Sequence, residues 1–170
     1  SKQKKSDKNL SETESEEEFL RIEPVLTEIK RKYPDCRVSV DTRKSNVMSK
    51  VMDIGVNFIN DVSAMTFDTK TRGVLAKKDA QICLMHGGLN PQKMQENVKY
   101  TDVLLDVYDY LEESINFAVL GGIKRKNIII DPGIGFGKTT KQNIKLIRNA
   151  SLFHSLGCPI LYGVSRKKFI

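Results

Sequence analysis

The chain reads as an α/β protein with a parallel sheet, and three observations predict that class. Five apolar runs of strand length each stop at polar residues: RVSVD at Asp41, NFIND at Asn60 and Asp61, QICLMH at His86, NIIID at Asp131, and PILYGVSRK at Ser165, Arg166 and Lys167. Phe58 and Ile59, and likewise Ile128, Ile129 and Ile130, form continuous apolar stretches rather than alternating ones. That is the pattern of strands covered by helices on both faces. Amphipathic segments separate the runs, so the order is strand, helix, strand, helix throughout. In such folds the carboxyl ends of the strands form one rim, and the polar terminators are expected to converge there on one mouth.

The elements follow in order. Residues 1–14, SKQKKSDKNLSETE, carry Leu10 as their single apolar side chain and are expected to be a disordered charged leader or a loop insertion. A helix is predicted from Ser15, whose capping relation to Glu18 satisfies the first free amides. It carries Phe19, Ile22, Leu26 and Ile29 on one face with Val25 beside them, and Pro24 should bend it. Residues 32–36 turn into the first strand. Val47, Met48, Val51 and Met52 mark the next helix, Val74 and Leu75 another, residues 103–119 a long one, and Ile144, Ile147 and Leu152 the last. Gly55, Gly121 and Gly157 each fall just past a periodic segment, where a left-handed C-cap is wanted. Residues 86–101 are the exception to short connections and include Gly87, Gly88 and Pro91. A stretch of this length serves either as a lid over a site or as a plain surface excursion.

Composition narrows the function classes. One domain, residues 15–170, suits the 170-residue length. No run approaches the roughly 20 apolar residues of a membrane span, and the polar N-terminus shows no signal peptide, so a soluble cytoplasmic protein is expected. Cys36, Cys83 and Cys158 are widely spaced, sit in or beside predicted strands, and read as buried free thiols in a reducing compartment rather than zinc ligands. Net charge is +7, yet the first 18 residues set four Lys against six acids, which leaves +9 on residues 19–170. A basic body admits nucleic acid as a partner, but no aromatic interleaving or helix-turn-helix pattern supports it. A small anionic substrate fits the charge as well.

The segment DPGIGFGKT, residues 131–139, lies between a strand and a helix. Its glycines let the backbone turn sharply and approach a ligand, and Phe136 offers an apolar face in the same loop. A Walker A loop would need Gly where Pro132 stands, and a dinucleotide fingerprint would need Gly where Lys138 stands. The amide of Asn60 offers a donor and an acceptor together, and Asp41 and Asp131 offer acceptors. On neighbouring strand ends these groups suit the edge of a purine-like or pterin-like ring. A divalent metal held by Asp41 and Asp131 is the competing use, although hard cations want more clustered carboxylates. Ser165, Arg166, Lys167 and Lys168 are expected to open a further helix, where cations and free amides attract a carboxylate or diphosphate; the plain alternative is a solvated basic turn.

Together SVDT (39–42), FIND (58–61), LMH (84–86), DPGIGFGK (131–138) and GVSRKKFI (163–170) resemble dihydropteroate synthase, in the same order and with similar spacings. The resemblance runs from residue 16 to the last residue, and DPGIGFGK with SRK is its most specific part. It implies a (β/α)8 TIM barrel, of which this chain covers roughly strands three to seven. It also implies a folate-pathway transferase, a sulfonamide-target family, that joins 6-hydroxymethyl-7,8-dihydropterin diphosphate to p-aminobenzoate, releasing diphosphate and forming 7,8-dihydropteroate.

By the same resemblance, Asp131 accepts from the pterin amino group and ring N–H, with Asn60 on the same edge. Asp41 faces the ring near the carbon that becomes cationic. Lys167 touches the pterin carbonyl and N5 and lines the aminobenzoate pocket, so that Asp41 and Lys167 are the expected catalytic pair. Val62 and Met85 are apolar contacts to the pterin, and Phe136 is a wall of the aminobenzoate site. Lys168 stands where some relatives have a hydroxyl that meets the aminobenzoate carboxylate, so charge is expected to serve instead. The family's magnesium is held by an Asn on a loop after the first strand; that loop, the family's Gly-, Thr-, Arg- and Pro-rich loop after the second strand and its last strand with the Arg-x-His diphosphate contact are not in this sequence. No metal ligand is therefore assigned to this chain, which alone is expected to be inactive, and the resemblance leaves a homodimer open. Two other readings remain at this stage: a methyltetrahydrofolate methyltransferase-like pterin barrel, which lacks SRK, and a non-catalytic fragment or P-loop-like nucleotide binder.

Overall fold

A computed structural model describes residues 2–87 and 100–167. Among these described residues four short strands, β1 (Ser39–Asp41), β2 (Phe58–Asp61), β3 (Gln81–Met85) and β4 (Ile128–Asp131), form one parallel sheet in sequence order. Helices α1 (Lys2–Lys32), α2 (Ser45–Asp53), α3 (Thr71–Lys78), α4 (Val103–Leu120) and α5 (Thr140–Arg148) alternate with them. Four of the five predicted strands thus lie where their polar terminators place them, and the parallel α/β class follows.

Register decides which side chains share a face. Asp41 pairs with Asn60, Asn60 with Cys83, and Cys83 with Ile129, while Met85 pairs with Asp131 two residues further along. Because side chains alternate, Asp41, Asn60, Cys83, Ile129, Met85 and Asp131 all belong to one face of the sheet. Val40, Ile59, Ile82, Leu84, Ile128 and Ile130 occupy the opposite face and are buried in the core with Val47, Met48 and Val51 of α2 and Val107, Leu111 and Ile115 of α4. Each such side chain taken fully from water contributes roughly 1.5–3 kcal/mol. The second face also buries Cys83 and Met85, and it carries Asp41, Asn60 and Asp131 at its carboxyl end.

The first helix begins at Lys2 rather than near Ser15, so it runs through the segment assigned to a disordered leader. Residues 2–14 contain neither Gly nor Pro, and four Lys, two Glu, one Gln and one Leu among them are good helix formers, so nothing in them stops the helix. Ser15 consequently lies inside α1 and is buried rather than capping it. Phe19 and Leu26 face the core, Ile22 is partly buried against it, and Val25 points outward. Glu18 fixes the helix to the sheet rim: it accepts from Thr42 Oγ1 at 2.5 Å and pairs with Lys44 at 2.9 Å.

Other expectations need correction. The fifth run makes a single bridge, Ile130 to Ile160, because Pro159 lacks an N–H to pair and Gly163 weakens the run. Ile144 and Ile147 of α5 are exposed, and Asn143 and Leu146 face inward. The polar Asn143 turns to the core side because its Oδ1 accepts from Gly135 N at 2.8 Å. Gly55 and Gly157 do carry positive φ after their helices, but after α4 that task falls to Gly122, with φ 92°, and not to Gly121. Cys83 and Cys158 are buried as expected, whereas Cys36 is exposed in the turn before β1. Ser165 and Arg166 form a turn; Lys168, with the start of the helix expected there, lies outside the described residues, as does most of the candidate lid, 88–99.

Candidate active site

The rim at the carboxyl ends of β1 to β4 gathers most of the residues singled out from the sequence. On β1 and β2, Asn60 Nδ2 donates to Asp41 Oδ2 at 3.3 Å. Partial burial at the sheet end raises the Asp41 carboxyl above its usual range, and the Asn60 amide pulls it back. Asn60 Oδ1 is buried and has no partner among the described residues, an acceptor left open on the same face as Asp41 and Asp131. Such a group costs about 1–3 kcal/mol unless something donates to it.

Asp61, the next residue, does different work. Its carboxylate accepts from Ser63 N at 2.8 Å, Ser63 Oγ at 2.6 Å and Met65 N at 2.9 Å. These bonds close the turn that leads to α3, where Ala64 and Met65 adopt left-handed backbone with φ 47° and 66°. Asp61 is therefore consumed by the fold. Val62, which follows it, is half-buried, and Met85 at the end of β3 is buried at 2% exposure.

Asp131 ends β4 and is buried. Its Oδ1 accepts from Gly133 N at 2.7 Å, while its Oδ2 lies 4.0 Å from where a side chain at Gly163 would begin. Burial raises this carboxyl; the Gly133 amide and the charges of Lys138 and Lys167 oppose the shift. Gly133 must be glycine on two grounds. Its φ is 70°, and a Cβ would sit 1.9 Å from the carbonyl oxygen of His86.

Two lysines meet at this loop, Lys138 from within it and Lys167 from just past the turn at 165–166. Lys167 Nζ stands 3.8 Å from the centroid of the Phe136 ring. Its stem crosses the backbone of Gly135, where a Cβ would lie 2.6 Å from Lys167 Cδ. Lys138 Nζ contacts His86 Nδ1 at 3.0 Å and donates to the carbonyls of Gly133 at 2.9 Å, Phe136 at 3.0 Å and His86 at 3.2 Å. Carbonyls in this loop thus turn toward a cation of the protein itself. A phosphate cradle needs amides turned inward instead, so the geometry argues against the P-loop alternative.

The structure brings together Asp41, Asn60, Met85, Asp131, Phe136 and Lys167 at one rim, with Val62 at its edge. Sequence reasoning passed over Lys138, and the signal available was its place in the motif beside carbonyls that glycine-bearing turns leave free. The shared-metal use of Asp41 and Asp131 gains no support from the structure. They end β1 and β4, the two outer strands of the sheet, and no group of three or more His, Cys, Asp or Glu side chains that could hold a cation stands among the described residues.

Comparison with known proteins extends this geometry. The family model described as "Pterin binding enzyme" matches residues 4–170. Dihydropteroate synthase of Clostridium beijerinckii is 40% identical over 155 residues, covering 91% of this chain and 55% of that protein. Among solved structures, dihydropteroate synthase from Xanthomonas albilineans in complex with 7,8-dihydropteroate superposes with a TM-score of 0.82 at 34% identity, over 91% of this chain and 55% of that one. The enzyme from Stenotrophomonas maltophilia with active site-bound imidazole gives 0.86 at 34% identity, over 91% and 57%. The chain spans little more than half the length of each.

Proposed function

The chain belongs to the pterin-binding enzyme family, and from that premise we propose that it supplies the ring-reading part of a dihydropteroate synthase. The reaction joins 6-hydroxymethyl-7,8-dihydropterin diphosphate to p-aminobenzoate and releases diphosphate. The observation that carries this reading is the shared sheet face on which the open acceptor Asn60 Oδ1 lies beside Asp41, with the buried carboxylate of Asp131 two strands away. Two strand spacings are about 10 Å, on the order of a fused bicyclic ring with its substituents.

In this reading Asp131 accepts from the ring N–H and the exocyclic amino group, and Asn60 accepts on the same edge. Loss of diphosphate leaves a cation conjugated with the ring. Asp41 stabilises it as a fixed nearby negative charge, a contribution that grows when water is excluded. Lys167 reaches the pterin carbonyl side and, across Phe136, the aminobenzoate pocket, to which Lys168 adds positive field. Val62 and Met85 supply apolar contact to the ring. The aminobenzoate nitrogen is already nucleophilic, so no strong general base is needed. For the magnesium implied by the family, no group of three or more His, Cys, Asp or Glu side chains that could hold it stands among the described residues, and no step is routed through it.

A cytoplasmic location belongs to the same proposal and rests on the free cysteines; among the described residues no helix is long and apolar enough to cross a membrane. So does a homodimer, for which exposed Ile144 and Ile147 on α5 offer an apolar surface that sedimentation velocity can test. The test of the function is a diphosphate-release assay on the whole protein with both substrates. Release that requires p-aminobenzoate and disappears in Asp131→Asn is the expected result, and absence of release from the unaltered protein would overturn the reading.

A further inference from the structure

Asp131 and Phe136 hang from one loop, and the shape of that loop depends on a side chain to which the reaction gives no task. Lys138 Nζ gathers acceptors from two separate segments: the carbonyls of Gly133 and Phe136 in its own loop, and the carbonyl and Nδ1 of His86 just past β3. One ammonium therefore ties the loop after β4 to the end of the neighbouring strand. Gly133 sits at the centre of the tie, with its amide on Asp131 Oδ1 and its carbonyl on Lys138. Phe136 is held by its carbonyl on Lys138 and by its amide, which donates to Gly133 O at 3.2 Å.

Taking the synthase reading as given, we infer that Lys138 is a positioning residue that holds the Asp131 carboxylate and the Phe136 ring in the geometry the two substrates require. The chain of contacts is short: ammonium to Gly133 carbonyl, Gly133 amide to carboxylate, carboxylate to pterin. Without the tie, Gly133, Gly135 and Gly137, all at positive φ, leave the loop free to take other turns. The ammonium also fixes the tautomer of His86. With Nδ1 accepting from the lysine, the imidazole proton sits on Nε2, and the neutral ring packs edge-on against Tyr110 at 4.8 Å between centroids.

The titratable and charged groups that act on the ammonium are His86 after β3, Asp131 at the end of β4 and Lys167 from the C-terminal turn. Burial and Lys167 lower the Lys138 pKa to about 7, against the pull of Asp131. A purely architectural tie would not need a charge at that cost; a positioning one gives the site a titration of its own.

The experiment compares the whole protein with Lys138→Met, which keeps the stem and removes the donors. Three quantities are read: calorimetric affinity for 6-hydroxymethyl-7,8-dihydropterin diphosphate, hydrogen exchange at residues 133–137, and the pH profile of turnover. Pterin affinity is expected to fall about tenfold or more, as displacement of a recognition group usually produces, with faster exchange confined to the loop. The wild-type profile should decline through pH about 7, an ionisation that the methionine variant lacks. Should that variant not fold, Lys138→Gln serves in its place, because two donors on a shorter stem cannot serve four acceptors. Wild-type affinity and loop exchange in either folded variant overturns the inference while leaving the synthase reading intact. A wild-type protein that binds no pterin overturns both.

Discussion

Lys167 holds its ammonium 3.8 Å above the Phe136 ring while its stem lies across Gly135. The contact is worth about 0.5–2 kcal/mol depending on desolvation, and it aims the lysine between the two proposed substrate pockets. Lys167→Ala is expected to lower turnover more than Lys168→Ala, which should mainly raise the Michaelis constant for p-aminobenzoate. Steady-state kinetics on both variants checks this, and equal losses would contradict the division of labour.

Asp131→Asn should weaken pterin binding by about 2 kcal/mol or more, the usual loss when a buried hydrogen bond is mismatched. Gly133 N can still be satisfied by the amide oxygen, which turns the NH2 group toward a ring that also donates. Isothermal calorimetry is the measurement, and unchanged affinity would remove Asp131 from the site.

Acid should destabilise the protein through His86. Burial, with the charge of Lys138, lowers its pKa to about 3 from 6.5. The native ring therefore stays neutral while the unfolded one takes a proton below pH 6.5. Stability from this group is complete above 6.5 and is lost as pH falls toward 3, with a slope up to about 1.4 kcal/mol per unit. Urea unfolding at pH 7 and pH 5 should show the decline, and His86→Asn should flatten it. Lys138 works in a higher window: with a folded pKa of about 7 against 10.5, it makes stability rise with pH between those values.

Nucleotides should not bind the 131–139 loop. Pro132 removes an amide, and the carbonyls of Gly133 and Phe136 are turned to Lys138. Equilibrium dialysis with labelled ATP and GTP is expected to show no retention; micromolar binding abolished by Lys138→Ala would return the P-loop reading to contention.

Much of this was legible because parallel strands announce themselves as unbroken apolar runs, and what ends a strand stands at the rim. Asp41, Asn60 and Asp131 could be placed on that basis alone. The fifth run misled because Pro159 and Gly163 undercut its pairing, which apolar content does not register. The inward face of α5 was misassigned because Asn143 answers to a backbone amide eight residues away, at Gly135, and such a bond leaves no mark on hydrophobic periodicity. Lys138 stayed hidden for a related reason: its partners are carbonyls whose direction is set by backbone angles that residue types only permit.

Asn60 and Asp61 are neighbours in the chain with separable consequences for a cell. Asp61 spends its carboxylate on the turn to α3, so its loss should be felt as falling abundance, with misfolded protein cleared before it can act. Asn60 has a buried carbonyl oxygen with no partner among the described residues, the acceptor proposed to meet the pterin, so on that proposal its replacement should leave normal protein levels and a failing pathway. A growth screen alone would score both positions as equally intolerant. Pairing each growth score with a measured protein level would pull two adjacent letters into different categories of genetic defect, one rescued by chaperones or lower temperature and the other only by product supplied from outside.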